Sequence, residues 1–450
     1  MFGDNIRDLA STGHKKKPLL PHDEEMAAAF VAQYGDQLRY CQDLGGWLTW
    51  DGSYYQHDQR LSILERAQAF CAGEAARLKA KSLAGRKRID AVVHLARARE
   101  SIATEAKDWD ADPDILCTPG GILELPTGLL RPATPADYCT RRTLVTPKGD
   151  CPRFLKVLHE IFLDQPSLIP FLQVFCGYCL SGHDKERKFV FAYGGGNNGK
   201  DTAFSLLQAL MGSYAGTVPT ETLLSSKSDR HPTEVAMRRG LRLGVASETP
   251  KTRKWNEARV KLLTGGGRIS ARFMNGNFFD FPMTAKLVVY GNELPILTSL
   301  DDAWRDRMLF LYFNQQFTGK RAIKGLKEDL IAREGPGILA WAAQGSVTWY
   351  AEGLVVPPEI TAATNAYMAE QDVRGRWLAE CIDTSNPSAE TTTIALFESW
   401  SRWAESEKEY VGTPTALTRE LNKRFPGKYQ KREKCRVFIG LKVREVDASI

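Results

Sequence analysis

The sequence predicts an α/β protein with a parallel sheet, a mainly helical N-terminal domain and a small C-terminal module. Three observations support this prediction. A glycine-rich loop lies between an apolar run and a helical pattern, apolar strand-like runs alternate with helices over 151–350, and apolar residues recur at helical spacing over much of 23–110. Strands that alternate with helices form parallel sheets whose two faces are both covered.

The composition is that of a globular protein with a large core. Of 450 residues, 43% are hydrophobic and 25% are charged, which argues against chain-wide disorder. No apolar run approaches the roughly 18 residues of a membrane span, so we expect no membrane association. The nine scattered cysteines predict a reduced protein of the cytoplasm. The net charge of +6 is mild, so a nucleic-acid role requires local basic patches.

The N-terminal third divides into a tail and a mixed domain. We predict a loose tail over 1–22 and a mainly helical domain over 23–150, with a small hairpin around Asp51-Gly52 and short strands after residue 113. Basic residues dominate 77–99. A solvated helical face and a nucleic-acid contact both explain that run.

The remaining chain predicts a core and a module. The α/β core occupies 151–350, and a proline-containing segment follows it. Within the core, Cys176 and Cys179 form a lone C-x-x-C motif, which we interpret as two buried apolar residues on a helix. Residues 361–450 read as helix, helix and basic hairpin, the order of a winged helix.

The glycine-rich loop matches a phosphate-binding motif. GGGNNGK, residues 194–200, has the spacing G-x-x-x-x-G-K and lies between a strand and a helix, which is the context this motif requires. Backbone N–H groups of such a loop point at phosphate oxygens, and its lysine reaches the terminal phosphates. The predicted nucleotide-binding residues are Gly194, Gly195, Gly196, Asn197, Asn198, Gly199, Lys200, Asp201 and Thr202.

The residue after the lysine departs from the motif. A serine or threonine usually follows and binds Mg²⁺, whereas this chain has Asp201 and then Thr202. Thr202 is rotated by about 100° around the helix, which makes it a poor substitute. The Asp201 carboxylate could itself bind Mg²⁺, although its charge opposes phosphate binding without the metal.

Three further residues follow later strand-like runs in an order that suits a P-loop ATPase. Glu248 ends LRLGVASE and could orient water or help to bind Mg²⁺, and Asn292 ends KLVVYGN and could sense the γ-phosphate. Arg305 and Arg307 precede MLFLYF, where an arginine could act across a subunit boundary. Taken singly, each also fits a structural reading: a strand-ending acid, a turn amide or surface ion pairs.

Two basic patches predict contacts with nucleic acid. Lys261 ends a helix, and Arg268 and Arg272 lie on one face of a hairpin with an Asn275-Gly276 turn, which suits single strands in a channel. Residues 419–444 contain ten basic residues against two acidic ones, which suits duplex phosphates as well as a solvated tail. The residues predicted for this second patch are Lys423, Arg424, Lys431, Arg432, Lys434 and Arg436.

Together these motifs resemble the superfamily 3 helicases of phage and plasmid primase-helicase proteins, which are related to the poxvirus primase-helicase. The resemblance rests on GGGNNGK (194–200), ASE (246–248), KLLTGGGRISARFM (261–274), GNELP (291–295) and WRDRMLFLYF (304–313). It covers about 30–345 well and the C-terminal part more loosely.

The resemblance implies an AAA+-like ring, expected to be a hexamer, that uses ATP and Mg²⁺. It implies catalytic roles for Lys200, Glu248 as the Walker B acid, Asn292 as sensor 1 and Arg307 as arginine finger, with Asp201 and Glu248 near the metal. It further implies a DNA helicase of a phage, plasmid or genomic island in a bacterial host, which translocates on single-stranded DNA, with duplex DNA and a separate primase or replication protein as partners.

The chain departs from the family pattern at three points: Asp201, Gly267 and the absence of room for a primase domain. Gly267 stands where the family usually has an acid, and the chain shows no room for a primase domain, so we expect a helicase without its own primase. Asp201 sustains a rival reading, a DNA-binding initiator that uses nucleotide as an assembly switch. An enzyme acting on RNA is a third reading.

Overall fold

A computed structural model describes residues 20–225, 239–247, 254–271, 279–294, 296–297, 302–433 and 435–444. The chain divides into two compact units, Met1–Thr146 and Pro147–Ile450. None of the helices in the described ranges is both long and apolar enough to cross a membrane.

The first unit combines helices with two small antiparallel sheets. Its strands pair in the orders β1-β2-β3 and β4-β5-β6, so the predicted hairpin is confirmed and gains a third strand, β1. The α-helices are α1 (Asp23–Tyr34), α2 (Ser62–Arg77) and α3 (Arg86–Ala96), and the strands are β1 (Leu38–Cys41), β2 (Gly46–Trp50), β3 (Tyr55–His57), β4 (Ile115–Thr118), β5 (Gly121–Glu124) and β6 (Leu129–Arg131).

Helical spacing of apolar residues explains how α1, α2 and α3 pack. Met26 and Phe30 of α1 meet Phe70 of α2 and Val92 of α3 in one core. The basic run 77–99 begins at the last residue of α2 and includes the whole of α3. Acidic residues of α1 neutralise part of it, because Arg88 pairs with Asp23 and Arg99 pairs with Glu24. Ion pairing on a solvated face therefore accounts for these two arginines.

The second unit contains the parallel sheet that the alternating pattern predicts. The sheet order among the described residues is β13-β7-β12-β9-β8, and each neighbouring pair is parallel. The elements that build and cover the sheet are α4 (Pro152–Ile161), α5 (Leu168–Leu180), β7 (Phe189–Tyr193), α6 (Lys200–Leu210), β8 (Ala215–Thr217), β9 (Leu243–Ser247), α7 (Glu257–Thr264), β10 (Arg268–Ala271), β11 (Phe279–Pro282), β12 (Lys286–Gly291), α8 (Asp302–Arg305), β13 (Met308–Tyr312), α9 (Leu326–Glu352) and α10 (Pro358–Gln371).

The central strands are apolar runs because both of their faces are buried. β7 is buried through its first four residues, and β12 and β9 show the same pattern. On one face, Phe189, Phe191 and Phe310 pack with Trp255 and Trp304. Such a continuous apolar run is typical of a parallel strand covered on both sides.

Helix α10 seals the outer edge of the sheet. β13 is an edge strand, and its Phe310 N–H donates to the buried Thr364 Oγ1 at 3.1 Å. The Thr364 hydroxyl lies 3.5 Å from the Met308 carbonyl, and Tyr367 stacks on Phe310 with 5.3 Å between centroids. A covered edge strand is protected from pairing with other chains. The predicted module 361–450 therefore begins with a helix that packs on the sheet.

The C-terminal part folds around three tryptophans. Trp377, Trp400 and Trp403 form its core with Leu417 and Phe438. Its strands pair as β15-β17-β16 and β14-β18, all antiparallel. The elements are α11 (Val373–Cys381), β14 (Ile382–Asp383), β15 (Glu390–Thr392), α12 (Thr393–Ser406), α13 (Pro414–Arg424), β16 (Tyr429–Lys431), β17 (Arg436–Ile439) and β18 (Lys442–Val443).

Candidate functional site

The glycine-rich loop connects β7 to α6 at the carboxyl edge of the sheet. A Cβ at Gly194, whose φ is +155°, would lie 2.2 Å from the Phe313 carbonyl oxygen. Gly199 adopts φ +87°, and a Cβ there would meet the Ile161 side chain at 2.5 Å. The Phe317 N–H also donates to the Asn197 carbonyl at 2.7 Å. Glycine is therefore needed where the chain after β13 approaches the loop closely.

Lys200 is buried at the start of α6, and its ammonium group donates hydrogen bonds to three oxygen atoms. Its side chain is 7% exposed. Its Nζ donates to the Gly194 carbonyl at 3.1 Å, to Asn198 Oδ1 at 3.2 Å and to Asn292 Oδ1 at 2.5 Å. Burial lowers the pKa of Lys200, and the nearby Asp201 carboxylate opposes that shift. The structure thus brings together two residues, 200 and 292, that are 92 positions apart.

Asp201 is hydrogen-bonded by Tyr290, which is not among the residues predicted for the site. The Tyr290 hydroxyl donates to Asp201 Oδ1 at 2.6 Å. Tyr290 lies near the end of β12, and its ring stacks on Phe204 of α6 with 15° between planes. The available signal was a tyrosine at the end of the same strand-like run that the predicted sensor Asn292 follows.

Glu248 lies outside the described residues, so its predicted role stays a prediction. The residue before it, Ser247, ends β9 and pairs with Tyr290 of β12. Thr202 follows Asp201 in α6 and is half-buried. Of the predicted nucleotide-site residues, the structure places the glycine-rich loop, Lys200, Asp201 and Asn292 at one edge of the sheet.

Arg307 lies at the opposite edge. Its carbonyl accepts from the N–H of Phe189, the first residue of β7, whereas the phosphate loop follows Tyr193, the last one. A five-residue strand spans about 16 Å, so the two edges of this sheet are far apart within one chain. Arg305 is exposed at the same edge. Neither arginine is near the loop of its own chain.

The predicted basic hairpin is present as an antiparallel pair. β10 pairs with β11, with Arg268 opposite Pro282. The exposed Arg268 donates to the Asp280 carbonyl at 3.0 Å, and Lys261 lies in the last turn of α7. The turn at Asn275-Gly276 and Arg272 lie outside the described residues.

The C-terminal basic residues divide into two groups. Arg424 makes bonds of 2.8 and 2.6 Å to the two carboxylate oxygens of Asp372, and Arg432 pairs with Glu390. These two arginines link elements of this chain, and their predicted contact with nucleic acid stays a prediction. Arg432 is nevertheless exposed, as are three further predicted residues, Lys423, Lys431 and Arg436. Lys434 lies outside the described residues.

A second lysine is buried at the other edge of the sheet. Lys286 starts β12 and is 3% exposed. Its Nζ donates to the Ser181 carbonyl and, at 3.1 Å, to the His183 carbonyl. Arg242 donates to the Leu180 carbonyl at 2.7 Å, so two cations satisfy carbonyls at the end of α5. Burial lowers the pKa of Lys286 to about 7.

The C-x-x-C pair lies on the same helix. Cys176 and Cys179 are buried in α5 at 5% and 0% exposure. Burial raises the pKa of both thiols. A thiol that keeps its proton is a weak nucleophile and a weak metal ligand. The interpretation of these cysteines as apolar packing residues agrees with their surroundings.

A cleft of about 390 Å³ opens at the carboxyl ends of β7 and β13. Tyr193, Tyr312, Ile360 and Tyr367 contribute its apolar lining, and Glu359 and Glu370 lie in its wall. Its carboxylates would repel phosphate, so this cleft does not extend the phosphate-binding surface.

Comparison with known proteins identifies relatives among viral replication proteins. Residues 27–163 match the family model "D5 N terminal like". "Putative helicase L207/L206" of Acanthamoeba polyphaga mimivirus is 23% identical over 317 residues, 65% of this chain and 33% of that protein. "Putative primase C962R" of African swine fever virus (isolate Warthog/Namibia/Wart80/1980) is 25% identical over 269 residues, 54% and 28% respectively. These matches support a D5-like primase-helicase family.

The chain spans about a quarter to a third of the length of the curated relatives that it matches. The apo structure of the NrS-1 C-terminal region has the same fold, with a TM-score of 0.54 at 11% identity, over 94% of this chain and 100% of that one. The mixed α/β fold with a parallel sheet is therefore shared well beyond detectable sequence similarity.

Proposed function

We propose that this chain is an ATP-dependent DNA helicase of a viral or other mobile-element replication system, with a superfamily 3, AAA+-like core. The observation that carries the proposal is the buried Lys200 in a strand–glycine loop–helix, within 2.5 Å of Asn292. The D5-like match and relatives named as helicases or primases support a replication role.

The residues at the carboxyl edge of the sheet would each have a separate role in ATP hydrolysis. Bound Mg²⁺ supplies charge neutralisation for phosphoryl transfer to water. Lys200 would exchange its oxygen contacts for phosphate oxygens, which releases Asn292. The freed Asn292 amide could then orient the attacking water, and Glu248 is the proposed base or metal-shell acid. Asp201 fits a site for Mg²⁺, since its carboxylate is exposed next to the loop.

The position of Arg307 supports a ring in which subunits complete one another's sites. An arginine at the amino edge of the strands cannot reach the loop at their carboxyl edge within one chain. In a head-to-tail ring the amino edge of one subunit could face the carboxyl edge of the next. We therefore keep Arg307 as the proposed arginine finger, acting in trans, and a hexamer as the proposed assembly.

DNA is the proposed polymer, with separate sites for single strands and duplex. The β10–β11 hairpin carries the exposed Arg268. The C-terminal elements follow the order helix, two strands, two helices and three strands. The helix pair followed by an antiparallel β16–β17 pair supports a winged helix. Lys423, Lys431 and Arg436 are exposed on it and are the proposed phosphate contacts for duplex DNA.

ATP hydrolysis with and without single-stranded DNA tests the proposal. Native turnover should rise with DNA and be lost in Lys200→Ala, and native protein should separate a forked duplex. Native protein that neither binds nor hydrolyses ATP would contradict the proposal. Native protein that binds ATP without turnover would favour the second candidate, an initiator that uses nucleotide as an assembly switch, for which Asp201 in place of Ser or Thr is the specific observation.

Duplex binding is tested separately. Reversing Lys423, Lys431 and Arg436 to glutamate should weaken duplex binding by roughly tenfold or more and reduce its salt dependence. Reversal of Arg60, Lys107 and Lys148, which are exposed and lie outside every predicted basic patch, provides a matched control of equal charge. Equal losses in both triple variants would show that net charge, and not this surface, governs duplex affinity.

A further inference from the structure

The end of β12 contacts both charged residues that begin α6. Asn292 Oδ1 lies 2.5 Å from Lys200 Nζ, and the Tyr290 hydroxyl lies 2.6 Å from Asp201 Oδ1. Tyr290 is the last residue but one of β12, and Asn292 directly follows Gly291, the last residue of the strand. One strand end thus contacts two successive residues of the phosphate-loop helix.

The position of Tyr290 is fixed by packing and by the sheet. Its backbone lies in β12 between β7 and β9, in register with Ala192 and Ser247. Its ring lies 6.4 Å from that of Phe204, which is 1% exposed. Its hydroxyl therefore holds the Asp201 carboxylate at a defined place beside the loop.

Only one of the two carboxylate oxygens is used in this way. Oδ1 accepts the hydroxyl of Tyr290, and among the described residues Oδ2 has no hydrogen-bond partner. A carboxylate with one oxygen fixed and one free is suited to a divalent cation, since Mg²⁺ binds through one or two carboxylates together with substrate phosphates.

We propose that Asp201 replaces the usual hydroxyl as a ligand for the divalent cation of the bound nucleotide, and that Tyr290 is its positioning residue. This inference rests on the proposed nucleotide site and defines the form of nucleotide that the site accepts. The Asp201 carboxylate repels a bare triphosphate and attracts a cation-loaded one. The site therefore selects cation-bound nucleotide more strongly than a hydroxyl in the same place would.

Titration with a fluorescent ATP analogue, in EDTA and in saturating Mg²⁺, tests the inference. Mg²⁺ should tighten binding to the native chain by roughly tenfold or more, because it both neutralises phosphate and recruits Asp201. Asp201→Asn should bind the analogue about threefold more tightly in EDTA, since a repulsive charge is removed, yet gain under about threefold from Mg²⁺.

Tyr290→Phe tests the positioning role. It should retain native affinity in EDTA but lose a substantial part of the gain from Mg²⁺, since the carboxylate remains but is no longer held. Tyr312→Phe is the matched control, since Tyr312 ends β13, two strands away from β12, and is 42% exposed. This variant should show the native gain. Electron paramagnetic resonance of Mn²⁺ with ADP gives a second readout, in which Asp201→Asn should leave more Mn²⁺ free.

Each result bears on a separate claim. An unchanged gain from Mg²⁺ in Asp201→Asn would overturn the metal-ligand role, and an unchanged gain in Tyr290→Phe would overturn the positioning role. A native chain that binds no nucleotide in either condition would instead overturn the proposed nucleotide site. Thermal melting of each variant verifies that it is folded.

Discussion

Two buried lysines lie at opposite edges of the same sheet, and their surroundings differ in kind. Lys200, at the carboxyl edge, contacts one carbonyl and two side-chain amides beside an open glycine loop. Lys286, at the amino edge, donates to two carbonyls at the end of α5 and lies 4.9 Å from the centre of the Tyr178 ring. Burial lowers the pKa of both.

The comparison shows that burial of a lysine does not by itself identify a functional site. The partners of Lys286 are fixed by helix and turn backbone, so its ammonium serves the fold. Lys200 is bound partly by the exposed side chain of Asn292, which can rotate away, so a phosphate oxygen can take its place. Exchangeable partners next to open space distinguish the candidate site from the structural cation.

The largest expected difference between the lysines concerns nucleotide. Lys200→Ala should weaken binding of an ATP analogue by about 10- to 100-fold, which is the loss expected for a charged hydrogen bond of about 1.5–3 kcal/mol. Lys286→Met should change this affinity by less than about threefold, because its side chain lies at the far edge. Equal losses of nucleotide affinity in both variants would contradict a functional difference between Lys200 and Lys286.

The pH dependence of stability should follow Lys286. Its folded pKa of about 7 lies below its ordinary value of 10.5, so between these values the unfolded chain binds more protons at this residue. Its contribution to the free energy of unfolding therefore rises with pH through that window, by up to about 1.4 kcal/mol per unit. Urea unfolding at about pH 7 and about pH 9 should show a smaller rise in Lys286→Met than in the native chain. Identical slopes would contradict a lowered pKa.

The smallest expected effect sharpens the role of Asn292. Asn292→Asp places a carboxylate against Lys200 Nζ, so nucleotide must displace an ion pair and should bind about three- to tenfold more weakly. Asn292→Ala removes the competing oxygen and should leave affinity unchanged or slightly tighter, while hydrolysis falls if the amide orients water. Titration and turnover measured side by side separate these outcomes. Weaker binding in the alanine variant would contradict the exchange of partners.

Sequence patterns predicted the parallel sheet because its strands are continuous apolar runs, such as residues 189–193 and 286–291. They also placed Lys200 beside Asn292, since both follow strands of one sheet. They did not predict the Tyr290–Asp201 contact, because a lone tyrosine in an apolar strand resembles a core residue. The pairing of Arg424 with Asp372 was missed for a similar reason, since charge counting ignores acids that are distant in sequence.

The junction after α10 has a mechanical consequence. α10 ends at Gln371 and α11 begins at Val373, so Asp372 alone separates the helix that seals β13 from the C-terminal elements. The Asp372 carboxylate also accepts a hydrogen bond from the Gly375 N–H at 2.8 Å and is hydrogen-bonded by Arg424. The connection between α10 and α11 is therefore one residue long, and the hydrogen bonds of Asp372 restrict its conformation. A force on the exposed basic surface of the C-terminal elements would thus be transmitted through α10 to β13, the strand that follows Arg307. Movement of β13 would in turn displace that basic surface.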